Sequence, residues 1–397
     1  MEYDFTTVLD RSGRDCLAAD RIPFEGLRPD AGFDVIPMWI ADMAFPAAPP
    51  ILEAIRRRME MPNFGYFPLS GEYYDAILSW QERRNGVSGL KPEHIGYENG
   101  VLGGVSSAIQ AFTTPGDRIL VHSPTYVGFT HTLEDTGRPA VHSPLVRDAQ
   151  GVWRMDYEDM DRKIRENGIH FAIFCSPHNP CGRVWERWEI EKAMEVYRAN
   201  NCVVLSDEIW SDIIMPGSRH IPTQSVSEDA RGRTIAFYAP SKTFSLAGLV
   251  GSYDIIYNEY LRDRMRRQAA LTHYNEPNVL SMHALIGGYR DAEDWCDEMT
   301  AVVADNIDYA CGFIEKNFHG VSVIRPQGTY MLFLDCGRYC REKGTGIREL
   351  QARGVRCGVV WQNGEDFFWP DSIRMNLALP KSRLVEAMDR LKEYAFV

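Results

Sequence analysis

Between residues 50 and 285 the chain alternates two kinds of pattern. Short unbroken apolar runs at 118–122, 171–175, 202–206, 234–238 and 251–257 are separated by longer, mixed stretches. Apolar runs of that length predict strands buried on both faces. The stretches between them predict crossover helices, so the pattern calls for βαβ units and a mostly parallel sheet. From 292 to 318, Trp295, Met299, Val302, Val303, Ile307, Ala310 and Ile314 recur at three- and four-residue steps and predict one long amphipathic helix. Beyond it, strands are predicted over 321–324, 330–334 and 373–377, and helices over 346–353 and 381–394. The expectation is an α/β chain with a large unit over 45–288. A smaller unit combines 1–44 with 289–397. No internal repeat or low-complexity linker interrupts it.

Three of the predicted strands end in polar chemistry. The run 171–175 continues into Ser176-Pro177-His178-Asn179-Pro180, and 202–206 into Asp207-Glu208. The run 234–238 continues into Ala239-Pro240-Ser241-Lys242-Thr243-Phe244. Ligands of open α/β sheets bind at the carboxyl ends of strands. Most lysines are solvated surface charges. A lysine at a strand mouth, however, can be desolvated enough to serve as an amine nucleophile or Schiff-base partner. An amide, a carboxylate and a lysine together suit pyridoxal 5′-phosphate (PLP). Its aldehyde takes a lysine, its pyridinium nitrogen a carboxylate, and its phenolic oxygen hydrogen-bond donors. Asn99-Gly100-Val101-Leu102-Gly103-Gly104 precedes a helix predicted over 105–112. Small residues opening a helix leave backbone N–H groups free for phosphate.

Asn179, Asp207 and Lys242, in this order and spacing, resemble the fold-type I PLP enzymes of the class I/II aminotransferase superfamily. Three further blocks narrow the resemblance to the MalY/PatB group of cystathionine β-lyases, or C–S lyases. They are Ile36-Pro37-Met38-Trp39-Ile40-Ala41-Asp42-Met43, Ala239 through Leu249, and Arg374-Met375-Asn376-Leu377-Ala378-Leu379-Pro380. The likeness runs through essentially the whole chain. It implies the aspartate aminotransferase-like fold and a homodimer acting on a small amino acid.

The resemblance also implies residue roles. Lys242 is the cofactor lysine and general base, Asp207 the partner of the ring nitrogen, and Tyr126 an aromatic stacked on the ring. Asn179 and Trp210 face the cofactor. The amides of Gly100, Val101 and Leu102, with the Ser241 hydroxyl, hold the phosphate. Arg374 grips the substrate carboxylate, with Asn179, Ile40 and Ala41 beside it. Tyr66 reaches the neighbouring subunit's site. A packed turn tyrosine at 126, a core tyrosine at 66 and a surface arginine at 374 are the plainer alternatives. Tyr330, in Gly328-Thr329-Tyr330, reads as a core residue.

Several positions depart from the family pattern and bear on the reaction. Trp210 stands where many aminotransferases have a tyrosine and the lyase group more often a histidine. An indole N–H donates but does not exchange a proton. Val250 stands where aminotransferases place a phosphate-binding arginine, an absence shared with the lyase group. Ala44 replaces the second aspartate of the lyase group's Ala-Asp-Met-Asp-Phe. The expected reaction is carbon–sulfur β-elimination giving thiol, pyruvate and ammonia. Transamination is the alternative, and a binding protein on the same fold the third reading.

Composition narrows the partners. A net charge of −12 argues against nucleic acid and anionic membrane surfaces. The basic clusters Arg56-Arg57-Arg58 and Arg262, Arg264, Arg266 and Arg267 read as solvated helix faces. Nine cysteines without a CxxC pair read as reduced thiols. Cys336 and Cys340 have no completing cluster for zinc, so no metal is expected. The N-terminus lacks a basic and apolar leader, and no run reaches the ~18 residues of a membrane helix. A cytoplasmic protein is expected.

Overall fold

Seven strands form the central sheet in the computed structural model, which describes residues 2–397. They are β1 (Ile95–Glu98), β2 (Ile119–Ser123), β3 (Ala140–Pro144), β4 (Phe171–Cys175), β5 (Val203–Asp207), β6 (Thr234–Tyr238) and β7 (Ser252–Ile255). Their order is β1-β7-β6-β5-β4-β2-β3, and β7 alone runs against the rest. The sheet is therefore mostly parallel. Successive residues of a strand face opposite sides. Phe171, Ile173 and Cys175 pack into one apolar cluster with Leu205, Ile235 and Phe237, while Ala172 and Phe174 pack into another. Both faces are covered, which is why these strands read as unbroken apolar runs.

Two predicted strands coincide with those observed, and the others shift for local reasons. The run 202–206 becomes Val203–Asp207 because Asp207 still pairs with Cys175 on one side and Phe237 on the other. The helix predicted over 105–112 begins at Val101, because Gly100 turns the chain at φ 76°. Only glycine takes that conformation without steric cost. The strand predicted over 330–334 begins at Met331, since Thr329 turns the chain at φ 67°. The long helix spans Glu293–Asn317. The last predicted helix ends at Arg390 and passes into a wider turn over Leu391–Ala395.

A second, four-stranded antiparallel sheet contains β8 (Ser322–Val323), β9 (Met331–Asp335), β10 (Gln362–Asn363) and β11 (Ser372–Asn376), in the order β8-β9-β11-β10. The N-terminal segment joins this region where Ile36–Pro37 pairs in parallel with Val359–Val360. One apolar cluster links Ile36 and Met38 with Tyr253 and Leu285, and with Met375 and Leu384.

The basic clusters are more than solvated faces. Arg58 donates to the carbonyl oxygens of Met61 and Asn63, and Arg262 to those of Ile256 and Tyr257. Arg264 and Arg266 reach Ala111 O and Glu93 O. These heads satisfy turn and helix-end carbonyls. The nine cysteines are free, and no group of metal-ligating side chains forms among the described residues. No helix among them is long and apolar enough to cross a membrane.

Candidate active site

Parallel strands end at a common edge, and that register assembles the site. Cys175, Asp207 and Phe237 lie side by side in β4, β5 and β6. Asp207 closes β5, the segments beyond β4 and β6 carry Asn179 and Lys242, and the turn after β2 carries Tyr126. At the same edge, β1 runs into the helix Val101–Phe112.

Asp207 is buried and forms no ion pair among the described residues; its Oδ1 accepts the Ile209 N–H at 3.1 Å. Burial pushes its carboxyl up to about 7, against the Ile209 N–H and the charge of Lys242. A buried carboxyl so placed suits a cationic N–H donor. Lys242 Nζ donates to the carbonyl oxygen of Ala41 at 3.0 Å and stands 5.8 Å from the centre of the Trp210 ring. Burial and the positive charge of Arg374 lower its amine to about 8, with Asp42 and Asp207 opposing. Such an amine spends part of its time neutral near physiological pH and can take up a proton.

Arg374, on β11, is buried, and burial lowers its guanidinium to about 10. Its Nη1 donates to Asn179 Oδ1 at 2.9 Å. Its Nη2 donates to Gln362 Oε1 at 2.6 Å and to Trp39 O at 3.2 Å. Its Nε is buried without an acceptor among the described residues. The surface-arginine alternative therefore does not hold. Asn376 Nδ2 donates to Ile40 O at 2.8 Å and Asp42 O at 2.7 Å. Arg374 and Asn376 thus fix residues 39–42, which present Ala41 O to Lys242.

Tyr126 stands over Gly128, where a Cβ would come within 2.5 Å of Tyr126 Cε1, and its ring meets Phe129 edge-on at 5.3 Å. Burial raises its phenol. Trp210 is buried edge-on to Tyr330 at 4.7 Å. The reading of Tyr330 as core is right about its burial and incomplete about its place. Its hydroxyl is buried without a partner, and the ring lies against Trp210 in the site.

The helix Val101–Phe112 departs from expectation in one respect. Gly100 N–H donates to Glu98 O at 2.8 Å and is not free for a ligand. The first amide of the helix to find a carbonyl is that of Gly104, on Gly100 O at 3.1 Å. The free amides are therefore those of Val101, Leu102 and Gly103. Ser241 is buried in the short helix Pro240–Thr243. Val250 is exposed at φ 48°, a conformation that branched side chains rarely adopt.

Tyr66 is fully exposed and does not join this chain's site, which also excludes the core alternative. Three contributors carried no predicted role. Asp42 accepts from Ser245 Oγ at 3.1 Å and Arg11 Nη1 at 3.2 Å, and Gln362 holds Arg374. Asp42 and Ser245 lie inside motif blocks that could have flagged them. Nothing local distinguishes Gln362.

The donor set fits PLP. It offers a buried carboxylate without an ion pair among the described residues, an enclosed amine, an amide, free helix amides, a buried hydroxyl, and a guanidinium N–H left over for a carboxylate.

Comparison with known proteins identifies the family and the fold. The family model for aminotransferase class I and II matches residues 34–391. The chain is 32% identical over 362 residues to cystathionine β-lyase PatB of Bacillus subtilis, covering 90% of this chain and 92% of that one. The PLP-bound C–S lyase of Staphylococcus hominis superposes with a TM-score of 0.91 at 29% identity, covering 100% of this chain and 99% of that one. A PLP-bound putative aminotransferase of Clostridium difficile superposes with a TM-score of 0.92 at 32% identity, each chain covered over 100%. The chain belongs to the aminotransferase class I and II family.

Proposed function

We propose that this protein is a PLP-dependent carbon–sulfur β-lyase that cleaves cystathionine- or cysteine-type amino acids to a thiol, pyruvate and ammonia. The observation that carries the reading is the enclosed Lys242 amine, fixed on Ala41 O within the fields of Arg374 and Asp207. Likeness to a cystathionine β-lyase and a C–S lyase favours elimination, as does Val250 in place of a phosphate-binding arginine.

Bound PLP supplies an aldehyde for amine exchange and a ring that takes up the electron pair left when the α-proton departs. Asp207 accepts the ring N–H and holds that charge in place. Asn179 offers its amide N–H to the phenolic oxygen, Trp210 its indole N–H, and Tyr126 its ring face. The amides of Val101, Leu102 and Gly103 and the Ser241 hydroxyl take the phosphate. Arg374 turns its free Nε–H to the substrate carboxylate, beside Asn179 and the backbone of Ile40 and Ala41. Lys242 Nζ removes the α-proton. The Cβ–S bond then breaks, and its electron pair leaves on sulfur, which takes up a proton to become the thiol. Water hydrolyses the released enamine, through its imine, to pyruvate and ammonia.

The active form on this reading is a homodimer in which Tyr66 enters the partner's site; full exposure of Tyr66 supports it. Residues 45–288 form the large unit, and 1–44 with 289–397 the small one.

Transamination is the second reading, favoured by the likeness to a putative aminotransferase. Purified protein given L-cystathionine alone should release pyruvate and ammonia. Turnover confined to L-alanine with 2-oxoglutarate would replace elimination by transamination.

A further inference from the structure

Asp207 and Glu208 are adjacent and face opposite sides of the central sheet. Behind the sheet, Glu208 is fully buried and fully engaged. It accepts from His220 Nε2 at 2.8 Å, Tyr238 Oη at 2.6 Å, Ser206 Oγ at 3.0 Å and the Thr223 N–H at 3.0 Å. His220 and Tyr238 also line a cavity of about 420 Å³ on that side. Arg187, Arg219 and Arg231 line it too, and no aspartate or glutamate does.

This is unexpected in a chain with 55 acidic residues against 43 lysines and arginines. The three arginines come from separate elements: the helix Arg187–Ala199, the loop after β5, and the helix Glu228–Arg233. Arg187 has an exposed glutamate, Glu191, at 3.7 Å, whereas Arg219 and Arg231 form no ion pair among the described residues. The Arg231 guanidinium lies on the Tyr257 ring, 5.1 Å from its centre, and is held at the cavity wall. Glu208 cannot serve these cations, because its oxygens are taken by the four donors above. His220 is buried, and its Nδ1 has no hydrogen-bond partner among the described residues.

We propose that this cavity is a second binding site, for a compact multivalent anion carrying phosphate or carboxylate groups. Arg187, Arg219 and Arg231 supply the charge-assisted donors. The ligand would sit on the His220 and Glu208 side of the sheet, across from Asp207.

Isothermal titration of the holoenzyme with pyrophosphate, and separately with citrate, at fixed ionic strength, tests the site. One-site saturable binding is expected, weakened about tenfold for each arginine lost in the double variant Arg219→Gln/Arg231→Gln. Turnover of that variant without added anion should equal that of the unaltered enzyme. Saturation by pyrophosphate alone assigns a phosphate ligand and by citrate alone a carboxylate one, and both outcomes support the site. Saturation by neither, or equal affinity in the double variant, overturns it. The readout is binding, so it stands whichever reaction the enzyme performs.

Discussion

Arg374 Nη1 donates to Asn179 Oδ1 at 2.9 Å, across 195 residues of chain. This contact ties the antiparallel C-terminal sheet to the turn after β4, and on the proposed function it sets the substrate-carboxylate grip against the cofactor edge. Replacing Arg374 by Lys keeps the charge and loses the fork that serves Asn179, Gln362 and Trp39 together. The Arg374→Lys variant should lose about 100-fold in kcat/KM for cystathionine, mostly through KM. Steady-state kinetics on the purified variant measure this directly.

Asp207 makes a different contribution. Asp207→Asn preserves the shape and one acceptor but removes the charge. Turnover should fall by about 100- to 1,000-fold, the size of a lost electrostatic stabiliser. The link between Lys242 and the cofactor should survive, as shown by borohydride reduction followed by mass spectrometry of the peptide that holds Lys242.

A pH dependence follows from the same burial. Asp207 is raised to about 7 in the folded chain, as is Asp254, and Glu98 is raised to about 8. Each ionises more readily when unfolded, so the unfolded chain releases protons first and stability falls as pH rises from about 4 to about 8. For Asp207 the upper bound is about 4 kcal/mol, at about 1.4 kcal/mol per unit. Cofactor-free protein should melt at lower temperature at pH 8 than at pH 5.5 (round values inside that window). The drop should shrink in cofactor-free Asp207→Asn and in the loaded enzyme, where the ring N–H meets the carboxylate. Differential scanning calorimetry across that range is the check.

Tyr66 lends itself to complementation. Tyr66→Ala and Lys242→Ala should each be inactive as homodimers. Mixed dimers carry one site with an intact Lys242 and a Tyr66 from the other chain. Co-refolded mixtures should regain part of the wild-type rate, and mixtures as inactive as their parents would remove Tyr66 from the neighbouring site.

Much of this site is legible in the sequence, because fully buried strands leave unbroken apolar runs. Phe171–Cys175 and Thr234–Tyr238 appear at the predicted residues, and the polar residues beyond them, Asn179 and Lys242, fall at one edge by parallel register. The apolar run stops at residue 206, just short of Asp207, yet Asp207 belongs to the ladder; hydropathy does not reveal that a carboxylate still pairs. The capture of the Gly100 amide by Glu98 O depends on backbone geometry that no residue type encodes. Gln362 was invisible because its role arises from strand pairing, Gln362 opposite Arg374 in β10 and β11. Tyr330 looked like core because it is core; only the orphaned hydroxyl beside Trp210 marks it as part of the site.

The most direct test of the central claim compares pyruvate release from L-cystathionine by the unaltered enzyme and by Lys242→Ala. With Lys242 Nζ as the base that takes the α-proton, the enzyme should form pyruvate and the variant should fall by at least about 1,000-fold. Full turnover by Lys242→Ala would contradict the assignment of Lys242 and the mechanism built on it.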